Sequence, residues 1–142
     1  PKVGGSNPSG VAKMKKNVLS IDINAPIEIV FEFTRDSKNT SKWVPNLLEE
    51  TINTPTTDIG SIYRQKWNDG RETAMVITGI ITNKQLDFHQ INGAYTCMYT
   101  YEKTENGTKL TYSEENGVYG EIDRPFTIEI LQKLKRLIED IR

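Results

Sequence analysis

Phe126, Ile130, Leu134, Leu137, Ile138 and Ile141 recur every three to four positions at the end of the chain. That spacing puts them on one helical stripe about as wide as a sheet can cover. What precedes this helix is nearly all strand. The order is one strand, a helix opening at Ala25-Pro26, five or six consecutive strands, and then the amphipathic helix. An α+β chain of this order curls an antiparallel sheet around its terminal helix, with two short helices between the first and second strands. A sheet wrapped this way leaves space beside the helix, so the architecture itself predicts a small-molecule cavity.

Local patterns place the elements. Leu19, Ile21 and Ile23 alternate with Ser20, Asp22 and Asn24, the period of a half-buried strand. Asn24 is expected to cap the helix at Ala25, with Pro26 in its first turn and Glu28 at the positive end of the dipole. Ile27, Val30, Phe31 and Thr34 share a face of that helix, widened by Ile29 and Phe33. Asp36-Ser37-Lys38-Asn39 supplies turn and cap residues for a short second helix toward Trp43, which Pro45 stops.

Strands are then expected at Leu47 to Thr51, through Tyr63, Gln65 and Trp67, and over Thr73 to Ile81. Further strands run through Leu86, Phe88 and Gln90, through Tyr95, Cys97, Tyr99 and Tyr101, and through Leu110 and Tyr112. Asn68-Asp69-Gly70, Asn92-Gly93 and Glu105-Asn106-Gly107 mark the turns between them. Repeated hairpins make an antiparallel meander with one wet face and one face on a helix.

At 142 residues the chain is the size of one domain, expected over residues 14–142. Residues 1–13, rich in Gly, Pro and Ser near their start, fit a disordered or cloning-derived segment. Eighteen basic and 19 acidic residues are mixed along the chain, so no field draws it to nucleic acid. Cys97 is the single cysteine, which leaves no internal disulfide and fits a reducing cytoplasm. The apolar runs fall far short of the roughly 20 residues needed to span a bilayer, so stable membrane insertion is not expected. No phosphate-binding loop, dinucleotide fingerprint or nucleophile elbow occurs, and one His with one Cys gives no metal-ligand spacing. Neither cofactor nor metal is expected, and the protein is read as a monomer or weak dimer.

Five short motifs, each weak alone, occur in order from about Leu19 to the C-terminus. They are Ala25-Pro26 with Val30-Phe31, Trp43-x-Pro45, Gly60-Ser61, Gly107-Thr108-x-Leu110-Thr111 and Leu134-Lys135-x-x-Ile138-Glu139. Together they resemble the START-related, birch-pollen-allergen-like superfamily (SRPBCC) with the helix-grip fold, and within it the polyketide cyclase/dehydrase-like branch. The resemblance implies a cavity between sheet and C-terminal helix that binds a hydrophobic or amphipathic molecule such as a lipid, polyketide or flavonoid-like compound. It also implies a carrier, a sequestering protein or a sensor. A cyclase or dehydratase is the enzymatic alternative, and an Hsp90-activator-like interaction module is a third.

The lining is expected from Phe31, Trp43, Tyr63, Gln65, Trp67, Ile77, Phe88, Tyr95, Cys97, Tyr99, Tyr112, Leu131 and Leu134. For any one tyrosine of the ladder, core packing and cavity lining are equal alternatives, because a buried hydroxyl needs a partner in either setting. Trp43 is either a plug for the sheet end or a lid. Cys97 is expected to be a buried, inert thiol. His89 lies opposite Leu86 and Phe88 and is expected in solvent. Glu114 continues the Leu110 and Tyr112 face, which makes it the candidate acid or base of an enzyme. The twist of a strand end favours turning it back to water. The Lys133, Lys135 and Arg136 cluster is read as the solvated face of the last helix, with Lys135 and Glu139 paired at i, i+4.

Overall fold

A computed structural model describes residues 15–117 and 120–141, so the segment over residues 1–13 lies outside the described residues. The chain opens with strand β1 (Lys16–Ile23) and helices α1 (Ile27–Arg35) and α2 (Ser37–Thr40). Six strands follow: β2 (Leu47–Ile52), β3 (Ile62–Trp67), β4 (Glu72–Ile81), β5 (Gln85–Gln90), β6 (Thr96–Thr104) and β7 (Gly107–Glu115). Helix α3 (Ile128–Asp140) ends the described chain. This is the α+β helix-grip arrangement expected from the order of elements.

The sheet order is β1-β7-β6-β5-β4-β3-β2, and every neighbouring pair is antiparallel. β2 to β7 form the expected meander, while β1 lies beyond β7 at the opposite edge from β2. The chain must therefore cross the sheet between β1 and β2. The two short helices make that crossing: α1 packs on β6, β7 and α3, and α2 reaches β2.

Helix α1 buries Val30, Phe31, Phe33 and Thr34, while Ile29 is exposed. Its start differs from expectation. The turn bonding Ala25 N–H to the Ile23 carbonyl (2.9 Å) delays the helix to Ile27, so Pro26 is the cap residue and no side chain caps it. The Pro26 carbonyl instead accepts from Ile29 and Val30 N–H. Helix α3 buries Leu131, Leu134 and Ile138 completely, and Ile141 falls outside the stripe because the helix stops at Asp140.

Contacts from two sides bind the β1–α1 turn to the rest of the fold. A Cβ at Gly107 would lie 2.2 Å from the Ile23 carbonyl oxygen and 2.9 Å from Ala25 N, so backbone passes backbone where only glycine fits. Beside it the Thr108 hydroxyl donates to the Ala25 carbonyl at 2.8 Å. From the other side the Lys135 ammonium donates to the Asp22 carbonyl (2.8 Å) and pairs with Glu139 (2.6 Å). Glu139 also accepts from Asn24 N–H at 2.7 Å. The expected i, i+4 pair thus does more than sit in solvent, since it fastens α3 to the end of β1.

Candidate functional site

One end of the concave face is filled and the other is open. At the filled end Phe31 meets Tyr101 edge to face (5.2 Å), and the Tyr101 and Thr34 hydroxyls bond each other. Tyr63 meets Phe88 at 5.2 Å and donates to the Arg35 carbonyl at 2.7 Å. Burial pushes the Tyr63 hydroxyl up to about 12. Aromatic contact then continues toward the open end, from Phe88 to Tyr99 (6.0 Å), Tyr99 to Tyr112 (5.1 Å) and Tyr112 to Phe126, which stack at 4.3 Å.

Beyond Tyr99 and Tyr112 lies a cavity of about 460 Å³. Its wall comes from β3 (Gln65, Trp67), β4 (Thr73, Met75), β6 and the residues before it (Tyr95, Cys97, Tyr99), and β7 (Tyr112, Glu114). Val44, Pro45 and Leu47 close it on one side, and Pro125, Phe126 and Ile130 on the side of α3. The volume, the apolar wall and a few convergent polar groups suit a small amphipathic molecule.

The residues singled out in the sequence divide between the two ends. Gln65, Trp67, Tyr95, Cys97, Tyr99, Tyr112 and Glu114 border the cavity. Phe31, Tyr63, Ile77, Phe88, Leu131 and Leu134 are packed in the core and are not part of its wall. Trp43 is buried behind the wall, edge-on to Tyr99 (6.5 Å) and Phe126 (5.7 Å), so it is a plug and not a lid. Its indole N–H is the one buried side-chain polar atom without a partner among the described residues. His89 is exposed, with Nδ1 2.9 Å from the Gln90 carbonyl oxygen.

Glu114 departs from expectation, being 2% exposed. β7 is paired along its whole length, with Asn17 and Cys97 opposite Glu114 on its two neighbours, so the position is interior to the sheet and not a free strand end. One carboxylate oxygen accepts from Asn17 Nδ2 (2.8 Å) and Phe126 N–H (2.7 Å). The other accepts from the Tyr95 hydroxyl (2.6 Å) and, more distantly, from Tyr112 (3.4 Å). The single proton of Tyr112 has a nearer acceptor in the Tyr95 hydroxyl (2.8 Å), so three close donors meet this acceptor-only group, with Tyr112 behind Tyr95. Asn17 also donates to the Phe126 carbonyl at 2.9 Å, so Glu114 joins β1, β7 and the link to α3.

The sequence reading missed several wall residues, among them Thr73, Met75, Phe126, Ile130 and Glu50, of which Glu50 is the instructive one. Strict alternation from Leu47 would put Glu49 and Thr51 inside and Glu50 outside. A register shift between Leu47 and Glu49 in the β2–β3 ladder inserts one residue and turns Glu50 to the cavity. The Thr40 hydroxyl donates to one of its oxygens and Gln65 Nε2 to the other, at 2.7 Å. Desolvation holds the Glu50 carboxyl above its ordinary range, and those two hydrogen bonds partly oppose the shift.

Burial dominates the titrations of the thiol and phenols on the cavity wall. Cys97 is pushed up to about 12, so at neutral pH it is a thiol and a poor nucleophile. Tyr95, Tyr99 and Tyr112 are held well above the usual phenol range by the same desolvation. Among the described residues no group of three or more His, Cys, Asp or Glu could hold a metal ion. Among them, too, no helix is long and apolar enough to cross a membrane.

No family model matches this chain, and no curated protein matches it. Solved structures do match it. The protein MLL2253 from Mesorhizobium loti superposes with a TM-score of 0.70 at 14% identity, over 89% of this chain and 98% of that one. An AHSA1-like protein from Aeromonas hydrophila gives 0.64 at 14% identity, over 89% and 93%. The Polyketide_cyc-like protein Cgl2372 from Corynebacterium glutamicum gives 0.58 at 24% identity, over 92% and 82%. The chain is therefore a helix-grip protein by fold, in keeping with the resemblance to the START-related superfamily carried by its motifs.

Proposed function

We propose that this protein binds a hydrophobic or amphipathic small molecule in the cavity between the sheet and α3, as a cytoplasmic carrier, sequestering protein or sensor. The observation that carries the reading is the division of the concave face. The core beneath it is filled by aromatic rings, yet about 460 Å³ beside Tyr99 and Tyr112 remains open and mostly apolar. The enzymatic alternative, a cyclase or dehydratase using Glu114, draws less support because that carboxylate already meets three close donors and ties three segments together. The surface-module alternative draws less as well. The exposed large apolar residues Val18, Ile29, Leu48, Ile59, Ile81 and Ile141 are spread over separate segments, and Val18 and Leu48 lie on opposite edge strands.

Trp67 on the cavity wall is the reporter. Titration with fatty acids, sterols and flavonoid-like compounds should shift tryptophan emission saturably for at least one class, with affinity on the order of micromolar, about -8 kcal/mol. Cys97→Trp puts an indole into the cavity and should weaken that binding by about tenfold or more in a folded protein. No response to any class, or undiminished binding by folded Cys97→Trp, would move the site elsewhere.

A further inference from the structure

Three carboxylates line the cavity, Glu50, Glu114 and Asp123; Asp123 is exposed to solvent, and the hydrogen bonding of the other two is unequal. Glu114 accepts from three close donors, Asn17 Nδ2, Phe126 N–H and the Tyr95 hydroxyl, the last backed by Tyr112. Glu50 accepts from two, the Thr40 hydroxyl and Gln65 Nε2, although an ionised carboxylate offers about four acceptor sites. Glu50 is half-buried and contributes to the cavity wall, so its remaining acceptor capacity faces the space a ligand would occupy.

The partners of Glu50 are also fixed in direction. An indole nitrogen can only donate, so Trp67 Nε1 sets the sense of a chain along the wall. Trp67 donates to the Thr73 hydroxyl (2.9 Å), Thr73 donates to Gln65 Oε1 (2.8 Å), and Gln65 Nε2 donates to Glu50 (2.7 Å). The other amide hydrogen of Gln65 goes to the Tyr63 carbonyl at 3.2 Å. Reversing the Gln65 amide would set its oxygen against both the Glu50 carboxylate and the Tyr63 carbonyl, which can only accept, so its orientation is fixed. The whole chain therefore presents Glu50 as a terminal acceptor.

No cation answers it. Among the described residues Glu50 forms no ion pair, and the two arginines on the cavity wall are directed to Asp69. Arg71 Nε lies 2.8 Å from Asp69 Oδ2 and its guanidinium lies over the Trp67 ring, while Arg124 is 3.9 Å from the same oxygen. A desolvated carboxylate with neutral partners is costly, and a cation placed on it offsets that cost. The upward displacement of the Glu50 titration by desolvation is in keeping with this.

We infer that the cavity selects amphipathic ligands that end in a protonated nitrogen, seated on the Glu50 carboxylate with the apolar body against Met75, Tyr99 and Phe126. This rests on the reading of the cavity as a ligand site and names the chemical class it takes.

Decylamine, decanol and decanoate share one apolar body and differ in the end group, so titrating each against the intact protein by tryptophan emission and calorimetry separates the two claims. Decylamine should bind about tenfold or more tighter than decanol, with decanoate weakest. Glu50→Gln, confirmed as folded by its melting curve, should bring the ratio of decylamine to decanol affinity close to one. Binding of decanol with no preference for decylamine overturns this inference and leaves the cavity as a ligand site. Absence of binding by all three compounds overturns both. A preference that survives in Glu50→Gln assigns it to another group and refutes the role of Glu50. If that variant does not fold, Glu50→Asp withdraws the carboxylate by one methylene and should reduce the ratio several-fold, and an unchanged ratio refutes the same role. The ranking in the parent protein decides the selectivity whatever the variants do.

Discussion

Replacing Glu114 separates the loss of a carboxylate's charge from the loss of its hydrogen bonds. In Glu114→Ala the Phe126 N–H loses its partner, as does the Asn17 amide hydrogen that does not go to the Phe126 carbonyl. The tyrosine pair loses its terminal acceptor, though Tyr95 and Tyr112 hydroxyls remain 2.8 Å apart. Each orphaned buried donor costs about 1–3 kcal/mol, so three of them should cost about 3–9 kcal/mol, the lower end applying if cavity water reaches the tyrosines. Against a total stability of about 5–15 kcal/mol for a domain, that is a large loss.

Glu114→Gln should behave quite differently. Asn17 Nδ2 and Phe126 N–H can only donate, so they hold the amide oxygen toward themselves. The new NH2 then faces Tyr95 and Tyr112, whose hydroxyls can rotate and accept. The network survives with reversed sense on one side, at a cost of about 1–2 kcal/mol. Urea unfolding followed by tryptophan emission measures both, with Trp43 reporting on the Phe126 region it packs against. Glu114→Ala within about 1 kcal/mol of the parent, or Glu114→Gln as costly as Glu114→Ala, would refute the assignment of Glu114 as a satisfied structural acceptor.

Gly107→Ala should lower stability by about 2 kcal/mol or more, because the new methyl meets backbone at 2.2 Å and backbone cannot rotate aside. Thermal melting unchanged from the parent would show that the β1–α1 turn is free to move. Cys97 should alkylate with iodoacetamide at pH 8 at a rate about a hundredfold or more below a free thiol, since its titration is displaced up to about 12 and the thiolate fraction is correspondingly small. The sign follows from the upward shift: the rate keeps rising through pH 10, where an ordinary cysteine has levelled off. A plateau near pH 9 in the folded protein would contradict it.

Much of this molecule was legible in local pattern because side-chain period is a local property of backbone geometry. Tyr95, Cys97, Tyr99 and Tyr101 fall on one face by alternation alone, and Leu134 and Ile138 of the periodic stripe are buried on one face of a helix, where Leu131 joins them. What alternation does not give is position along the face. Tyr101 ends in closed core against Phe31 and Thr34, whereas Tyr95 ends on the cavity wall beside Glu114. That difference depends on where α1 crosses the sheet and where the link before α3 runs, and both are set by packing between segments distant in sequence.

Glu114 and Glu50 show the same boundary in sharper form. Glu114 was on the correct face in the sequence, but only its two paired neighbours, β1 and β6, keep it from turning to water. Strict alternation from Leu47 would put Glu50 on the wrong face, because a bulge against β3 shifts the alternation of β2 by one residue. The sequence by itself determined the element order, the gripping helix and the aromatic face, all of which follow from periodicity within single segments. Only tertiary structure decided which part of that face stays empty and which acids look into it, since a one-residue register shift reverses every side chain beyond it at no visible signal in the sequence.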